Sequence, residues 1–409
     1  MAAVACPFTS HQALPQEWID ASPAVSSNEV GAVLADYDIF RQQCPLAYTK
    51  QYDGYWLMTR YEDVKAAALD SETFISSVKA VIPSDPRGLR RPPLNFDAPR
   101  HTPYRTALDR TLKPARIRKL AQRLEKHADE LLAIILERDD RTGDICSDFA
   151  GPFAAWVEAE WLNLTPDKAP LLAKTAASWI DAWRRMDRDA TTLHSTTLYG
   201  MAEELLEDRR QNPRDPEEDP ASSLLLEKDS EGKPLDNVHL IGCLRQSLVV
   251  GMVAPPLLIG GIVHHLTKDP ELQKQLRDNP DLVPAAVEEF VRLYSPYRGF
   301  ARTVSKDVHM HGQTIKPGQP LSLTYVAANR DPAIFEQPHK FIMNRPNIAM
   351  HLGFGRGRHR CAGQPLARLA IQVALKAFLK TKRFETFGCM QYARMPEWGI
   401  ISCPIRFEV

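Results

Sequence analysis

The run Phe354-Gly-Arg-Gly-Arg-His-Arg-Cys-Ala-Gly363 holds the residues best suited to chemistry. A cysteine thiolate is a strong metal ligand. Cys361 lies just ahead of a helical segment, where backbone N–H groups and the helix dipole stabilise an anion. His359 and the arginines at 356, 358 and 360 add positive charge that favours the same anion. Gly355 and Gly357 before the cysteine, and Gly363 after it, let the backbone pass close to a flat, bulky partner. These features describe a thiolate ligand beneath a planar metal cofactor. A lone cysteine would read better as a buried residue in a Gly-rich turn, and the complete string favours the ligand.

The string matches F-x-x-G-x-H-x-C-x-G, the heme-ligand signature of the cytochrome P-450 family. Other parts of the family pattern follow in order. Glu289-Phe-Val-Arg292 resembles the E-x-x-R element, and Ala328 to Phe341 with Arg345 resembles the segment that locks onto it. Asp97-Ala-Pro-Arg-His-Thr-Pro-Tyr-Arg105 resembles the start of the family's third helix. The resemblance covers about 60 to 409, and the sequence is identified as a member of that family. It implies a mainly α fold with a smaller β-sheet part (α+β), a triangular prism of helices around a buried heme b. Cys361 would be the axial ligand, pushing electron density onto iron. Phe354 would shield the sulfur, with Gly355 and Gly363 shaping the loop. His101, Arg105, Arg302 and His359 would pair with the heme propionates. Glu289, Arg292 and Arg345 would hold the cysteine loop as a structural ion-pair set.

One segment departs from the family. A helix over 236–267 should cross the distal face of the heme, where relatives carry a small-residue pair, one variable residue, an acid and a Thr. Here the run is Val250-Gly-Met-Val-Ala-Pro-Pro-Leu257. Gly251 and Met252 stand at the small pair, Ala254 at the acid and Pro255 at the Thr, so both proton-relay side chains are absent. Pro255 and Pro256 remove two donors and free carbonyls one turn earlier, which predicts a kink and a place for water. The alternatives are peroxide-driven or redox-neutral chemistry, or a Pro pair that only bends a core helix. Pro at the Thr position also occurs in some relatives that demethylate methoxyaromatics.

The elements that must position these residues follow from pattern. Strand texture at 46–60 is followed by a helix at 61–69. Prolines at 83, 86, 92, 93 and 99, with Pro103 just past them, mark a long irregular loop over 76–100. Ile117, Leu120, Leu124, Leu131, Leu132 and Ile135 keep close to a 3.6 period and predict a helix over 114–138. Helices are expected at 167–187, 194–211, 270–277, 281–294 and 365–380, making 100–295 helix-rich, with strands in 301–327 and 385–409. The whole of 1–409 reads as a single heme domain.

Composition narrows the partners. Fifty-one basic and 51 acidic residues cancel, leaving no global electrostatic case for nucleic acid or an anionic membrane. The seven cysteines, at 6, 44, 146, 243, 361, 389 and 403, include no CxxC and suggest reduced thiols in a cytoplasmic protein. The start at Met1 lacks the features of a signal peptide. The apolar stretch Leu248 to Val263, broken by two prolines, is short of the ~20 residues of a membrane span, so no membrane insertion is expected.

The leading functional expectation is a heme-thiolate monooxygenase that hydroxylates or O-demethylates a small or medium hydrophobic molecule with O2. Electrons would come from NAD(P)H through a separate ferredoxin-type donor and its reductase. Arg116, Arg118 and Lys119, with the arginines near Cys361, could offer that donor a basic patch. A heme sensor without turnover is the third reading. By family analogy the substrate pocket draws on the 72–96 loop, Trp179, Trp183, Val250, Tyr297, Arg298, Phe300 and Trp398. Arg298 could pair with a substrate carboxylate, although a surface or propionate role is the better expectation.

Overall fold

A computed structural model describes residues 27–83 and 90–409. The start of the chain from Met1 and residues 84–89 of the expected pocket loop lie outside the described residues. The helices are α1 (Ser27–Gln43), α2 (Tyr61–Leu69), α3 (His101–Thr111), α4 (Pro114–Arg118) and α5 (Ala121–Leu136). Then come α6 (Gly151–Trp161), α7 (Lys168–Arg184), α8 (Arg188–Gln211), α9 (Pro220–Leu226) and α10 (Asn237–Val250). The last are α11 (Ala254–Lys268), α12 (Pro270–Asp278), α13 (Val283–Leu293), α14 (Tyr325–Ala328) and α15 (Gln364–Leu379). Strands are β1 (Leu46–Thr49), β2 (Tyr55–Met58), β3 (Phe74–Ile75), β4 (Thr142–Asp144), β5 (Phe300–Val304) and β6 (Val308–Met310). They continue with β7 (Gln313–Ile315), β8 (Pro320–Leu323), β9 (Arg383–Thr386), β10 (Gln391–Tyr392), β11 (Ile400–Ser402) and β12 (Pro404–Glu408). Helix dominates, as the α+β expectation required.

The chain divides into two compact units. The sheet-bearing unit comprises, of the described residues, those up to 83, Glu288–Cys361 and Tyr392–Gly399. Its five-stranded sheet has the order β1-β2-β8-β5-β3. β1 and β2 pair antiparallel with Leu46 opposite Met58, β2 and β8 pair parallel, and β5 runs antiparallel to β8. The register brings Tyr48 opposite Trp56, an edge-to-face pair with centroids 5.1 Å apart. Trp56, Met58, Leu321 and Leu323 turn one sheet face into a core shared with Tyr61, Phe74, Tyr325 and Phe335.

The helical unit comprises, of the described residues, 90–287, Ala362–Gln391 and Ile400–Val409. Apolar periodicity builds it. Leu124, Ala128, Leu132 and Ile135 lie along one buried stripe of α5. Aspartates fix several helix starts: Asp187, Asp219, Asp236 and Asp269 accept hydrogen bonds from the first-turn N–H groups of α8, α9, α10 and α12. A small sheet, β4-β12-β9, completes the unit.

Two expected helices are each divided. The 114–138 helix breaks into α4 and α5, and the 236–267 helix into α10 and α11. At the second break Pro255 occupies the first turn of α11, where a missing N–H is harmless, so the prolines restart a helix instead of bending one. Asn237–Lys268 is long and apolar enough to cross a membrane by length and composition, yet it is interrupted at 251–253 and 67% of its most apolar window is buried inside the protein. It is a core element.

Candidate functional site

The cysteine loop is closed by backbone bonds. Cys361 N–H donates to the Phe354 carbonyl at 2.8 Å, Gly355 N–H to Leu352 at 2.9 Å, and Arg360 N–H to Gly357 at 3.1 Å. Gly355 and Gly357 hold φ of 67° and 71°, the left-handed region that glycine adopts without strain. A side chain at 357 would also put its Cβ 2.2 Å from the Ala68 carbonyl oxygen. Arg356 reaches back to the Ala349 carbonyl at 2.7 Å, and Arg358 to Ser71 Oγ at 3.3 Å. The loop then runs through Gly363, the N-cap of α15, with Pro365 in the first turn.

Cys361 is a partly exposed thiol, whereas Cys146, Cys243 and Cys403 are buried thiols and Cys389 is exposed. Burial pushes the Cys403 thiol up to about 12 and raises Cys146 and Cys243 as well, which keeps all three protonated and inert. Cys44 is disulfide-bonded, against the expectation of reduced thiols throughout.

Beneath the loop, Glu289 and Arg292 on α13 form a bidentate pair at 2.8 and 2.7 Å, both almost fully buried. Arg345 adds a second guanidinium on Glu289, with Nε 3.1 Å from Oε1, and Ile342 N–H donates to the same oxygen at 3.0 Å. Arg292 spends its remaining donors on the carbonyls of Asn329, Pro338 and Lys340. Asn329 Oδ1 in turn accepts from Leu352 N–H at 2.6 Å, and Leu352 accepts from Gly355. The triad therefore connects by successive hydrogen bonds to the base of the cysteine loop.

The other expected residues fall into separate groups. His101 is buried at the first position of α3, and Arg105, one turn on, is paired with Asp109 at 2.8 Å. Arg302 is buried on β5 and donates to the Ala301 carbonyl at 2.7 Å. His359 is half-buried in the short turn before Cys361. Tyr297, Arg298, Phe300 and Trp398 come together in the sheet-bearing unit: Tyr297 and Phe300 rings are 5.0 Å apart, Arg298 lies 5.1 Å over Trp398, and Arg298 N–H donates to Pro396. Arg298 is 1% exposed, so the surface role expected for it is corrected. In the helical unit Trp179 and Trp183 stack with centroids 6.5 Å apart, and Arg245 covers Trp179 at 4.5 Å. Val250, the last residue of α10, is 45% exposed. Arg116 is also corrected: it is buried and donates to the carbonyls of Trp161 and Glu218, so it offers nothing to a redox partner.

At the break after α10, Gly251 has the carboxyl of Glu158 against it. A Cβ on Gly251 would stand 1.7 Å from Glu158 Oε1. Nothing in the sequence reading singled out this acid, whose partner lies on a distant helix. Its one local signal is its place in the largely apolar run Phe153 to Trp161, which holds a second acid, Glu160.

The family model for cytochrome P450 matches residues 179–405, more than half of the chain. The chain belongs to the cytochrome P450 family. Cytochrome P450 109 of Bacillus spizizenii is 32% identical over 354 residues, covering 84% of this chain and 82% of that protein. Linalool 8-monooxygenase of Pseudomonas putida is 28% identical over 371 residues, 85% of this chain and 89% of its own. Among solved structures, CYP108D1 of Novosphingobium aromaticivorans superposes with a TM-score of 0.81 at 25% identity, covering 94% of this chain and 97% of that one. CYP109Q5 of Chondromyces apiculatus gives a TM-score of 0.82, also at 25% identity, covering 94% and 97%. The protein is thus a heme b oxidoreductase of the monooxygenase class, with the P450 fold.

Proposed function

We propose that this P450 inserts one oxygen atom of O2 into a small or medium hydrophobic organic molecule, by hydroxylation or oxidative O-demethylation, with Cys361 as the residue that would hold the heme iron through its thiolate. The observation that carries the reading is the cysteine loop: a partly exposed thiol whose backbone N–H is tied to Phe354 and whose two left-handed glycines leave no side chain in the way. The residues fit heme b. A thiol just ahead of the α15 N-terminus, with Arg356, His359 and Arg360 in the same loop, sits where a thiolate is favoured. Bound heme b would supply the centre at which O2 is reduced.

The chain's own residues do the rest. The Glu289–Arg292–Arg345 triad keeps the thiolate loop in one geometry. His101, Arg105, Arg302 and His359 supply donors for the propionates. Trp179, Trp183, Val250, Tyr297, Phe300 and Trp398 supply apolar surface for the substrate, and Arg298 backs Trp398. A relative whose name assigns it a monooxygenase reaction on linalool supports a hydrophobic substrate. Electrons would come from NAD(P)H through a ferredoxin-type protein and its reductase, and the enzyme would work in the cytoplasm.

Reconstitution with a ferredoxin and its reductase tests this. A panel of methoxyaromatic and terpenoid compounds is screened first for substrate-induced change in the heme spectrum, then for product. NADH-dependent product from at least one spectral binder is the expected result. Product that forms only with added peroxide would replace this reading with the peroxide-driven one.

A further inference from the structure

A basic stretch and an acidic one meet on the surface of the helical unit. Residues 110–123, from the end of α3 through α4, carry six basic side chains and no acid. Against them stands the turn Asp215-Pro-Glu-Glu-Asp219 between α8 and α9, with four acids in five residues. Lys113 pairs with Glu217 at 2.5 Å, and Lys119 pairs with Glu218. Arg110 pairs with Glu227, and its Nε stands 3.8 Å from Glu217. Both lysines and both glutamates of the turn are exposed.

The turn is held in place independently of these pairs. Buried Arg116 donates to the carbonyls of Trp161 and Glu218 at 2.9 and 2.6 Å, and Asn163 Nδ2 donates to the Glu218 carbonyl at 2.8 Å. Asp219, fully buried, accepts from Arg209 Nε at 2.9 Å and from Ser222 N–H at 2.8 Å. The N–H groups of Glu218 and Asp219 donate to the Asp215 carbonyl at 3.0 and 2.8 Å. Pro213, Pro216 and Pro220 fix φ at three positions in and beside the turn. An exposed ion pair usually loses most of its energy to the ordering of its two side chains. Here the backbone that carries Glu217 and Glu218 is already ordered by buried groups, so less of that energy is lost.

We propose that the face made by Arg110, Lys113 and Lys119 is a docking surface for an acidic protein, and that the turn Asp215–Asp219 is its built-in competitor, holding the affinity of that protein down. The proposal rests on the ferredoxin-type donor of the functional reading, which is the acidic partner it names. The turn displays the carboxylates that such a surface recognises. Three cations against Glu217, Glu218 and Glu227 leave the face without net charge. A partner's acids reach the two lysines only by displacing glutamates that are tethered beside them, at high effective concentration. Without Glu217 and Glu218 the same row is a positive rim, which speeds encounter with an acidic protein and makes binding strongly salt-dependent.

The test measures binding of an oxidised, acidic [2Fe–2S] ferredoxin to the heme-loaded full chain by titration calorimetry. Wild type is compared with the double variant Glu217→Gln, Glu218→Gln, which keeps every backbone anchor of the turn. At an ionic strength of about 10 mM the double variant should bind about ten-fold more tightly, and the gain should shrink at about 150 mM. In a Lys113→Ala, Lys119→Ala background the same two glutamine substitutions should bring no gain. Equal affinity of wild type and double variant overturns the proposal. An equal gain in the lysine-free background overturns it too, since the effect would then follow net charge and not this face. Turnover with the ferredoxin and its reductase separates the two readings: tighter binding by the double variant, with NADH-dependent product from neither protein, would refute the donor reading and leave the acidic-protein surface supported.

Discussion

Glu158 and Gly251 constrain each other. Because the folded protein holds the Glu158 proton up to about pH 8, while an unfolded carboxyl releases it near 4.3, the unfolded state binds fewer protons between those values. Stability should therefore fall as pH rises across that window and level off above it. Glu158→Gln should lack this slope, and denaturant midpoints of the two proteins at about pH 6 and about pH 9 check the sign. A slope of equal size in both would mean that Glu158 is ionised in the fold. Single residues differ sharply in how far the sequence reveals them. Cys361 is readable because its glycines and basic neighbours lie within a ten-residue string. The burial of Arg116 and of Glu158 is not, because their partners, the Trp161 and Glu218 carbonyls and Gly251, belong to elements far along the chain.

Two elements bear the weight of the site, the α13 triad and the cysteine loop. Glu289→Ala would leave Arg292 and Arg345 as buried cations facing each other, at a cost of about 3–5 kcal/mol. Little heme-loaded protein should be recovered, and urea midpoints of what remains should drop accordingly. A stable, heme-loaded Glu289→Ala protein would show that the backbone bonds of the loop suffice without the ion pair. Gly357→Ala should be as damaging locally, since it combines a left-handed φ of 71° with a 2.2 Å approach to the Ala68 carbonyl. Heme retention measured after gel filtration should fall in that variant, with Gly312→Ala as a control whose Cβ meets nothing within 4 Å. The E-x-x-R spacing points to the pair, but the carbonyl ladder from Asn329 to Leu352 is a three-dimensional fact. At the distal helix the prolines announced a disturbance. The expected kink is instead a break, since Pro255 lies in the first turn of a new helix.

At the scale of the molecule, helical periodicity between 100 and 295 and the strand-rich stretches at 46–60 and 301–327 were legible because both kinds of element bury one regular face. The parallel pairing of β2 with β8, remote in sequence, was not, since nothing local encodes which strands become neighbours. Balanced charge left the choice of partner to individual surface residues, and Arg116 is withdrawn from that set. The functional account depends throughout on one bond, between the Cys361 sulfur and heme iron. The most direct measurement is the absorption spectrum of the reduced, carbon monoxide-treated protein, wild type beside Cys361→His. The account predicts the red-shifted Soret band of a thiolate heme in wild type, and its loss in Cys361→His either to the imidazole position or with the heme itself. A thiolate-type band that persists in Cys361→His, or one lost on replacing Cys389 by Ser, would contradict it.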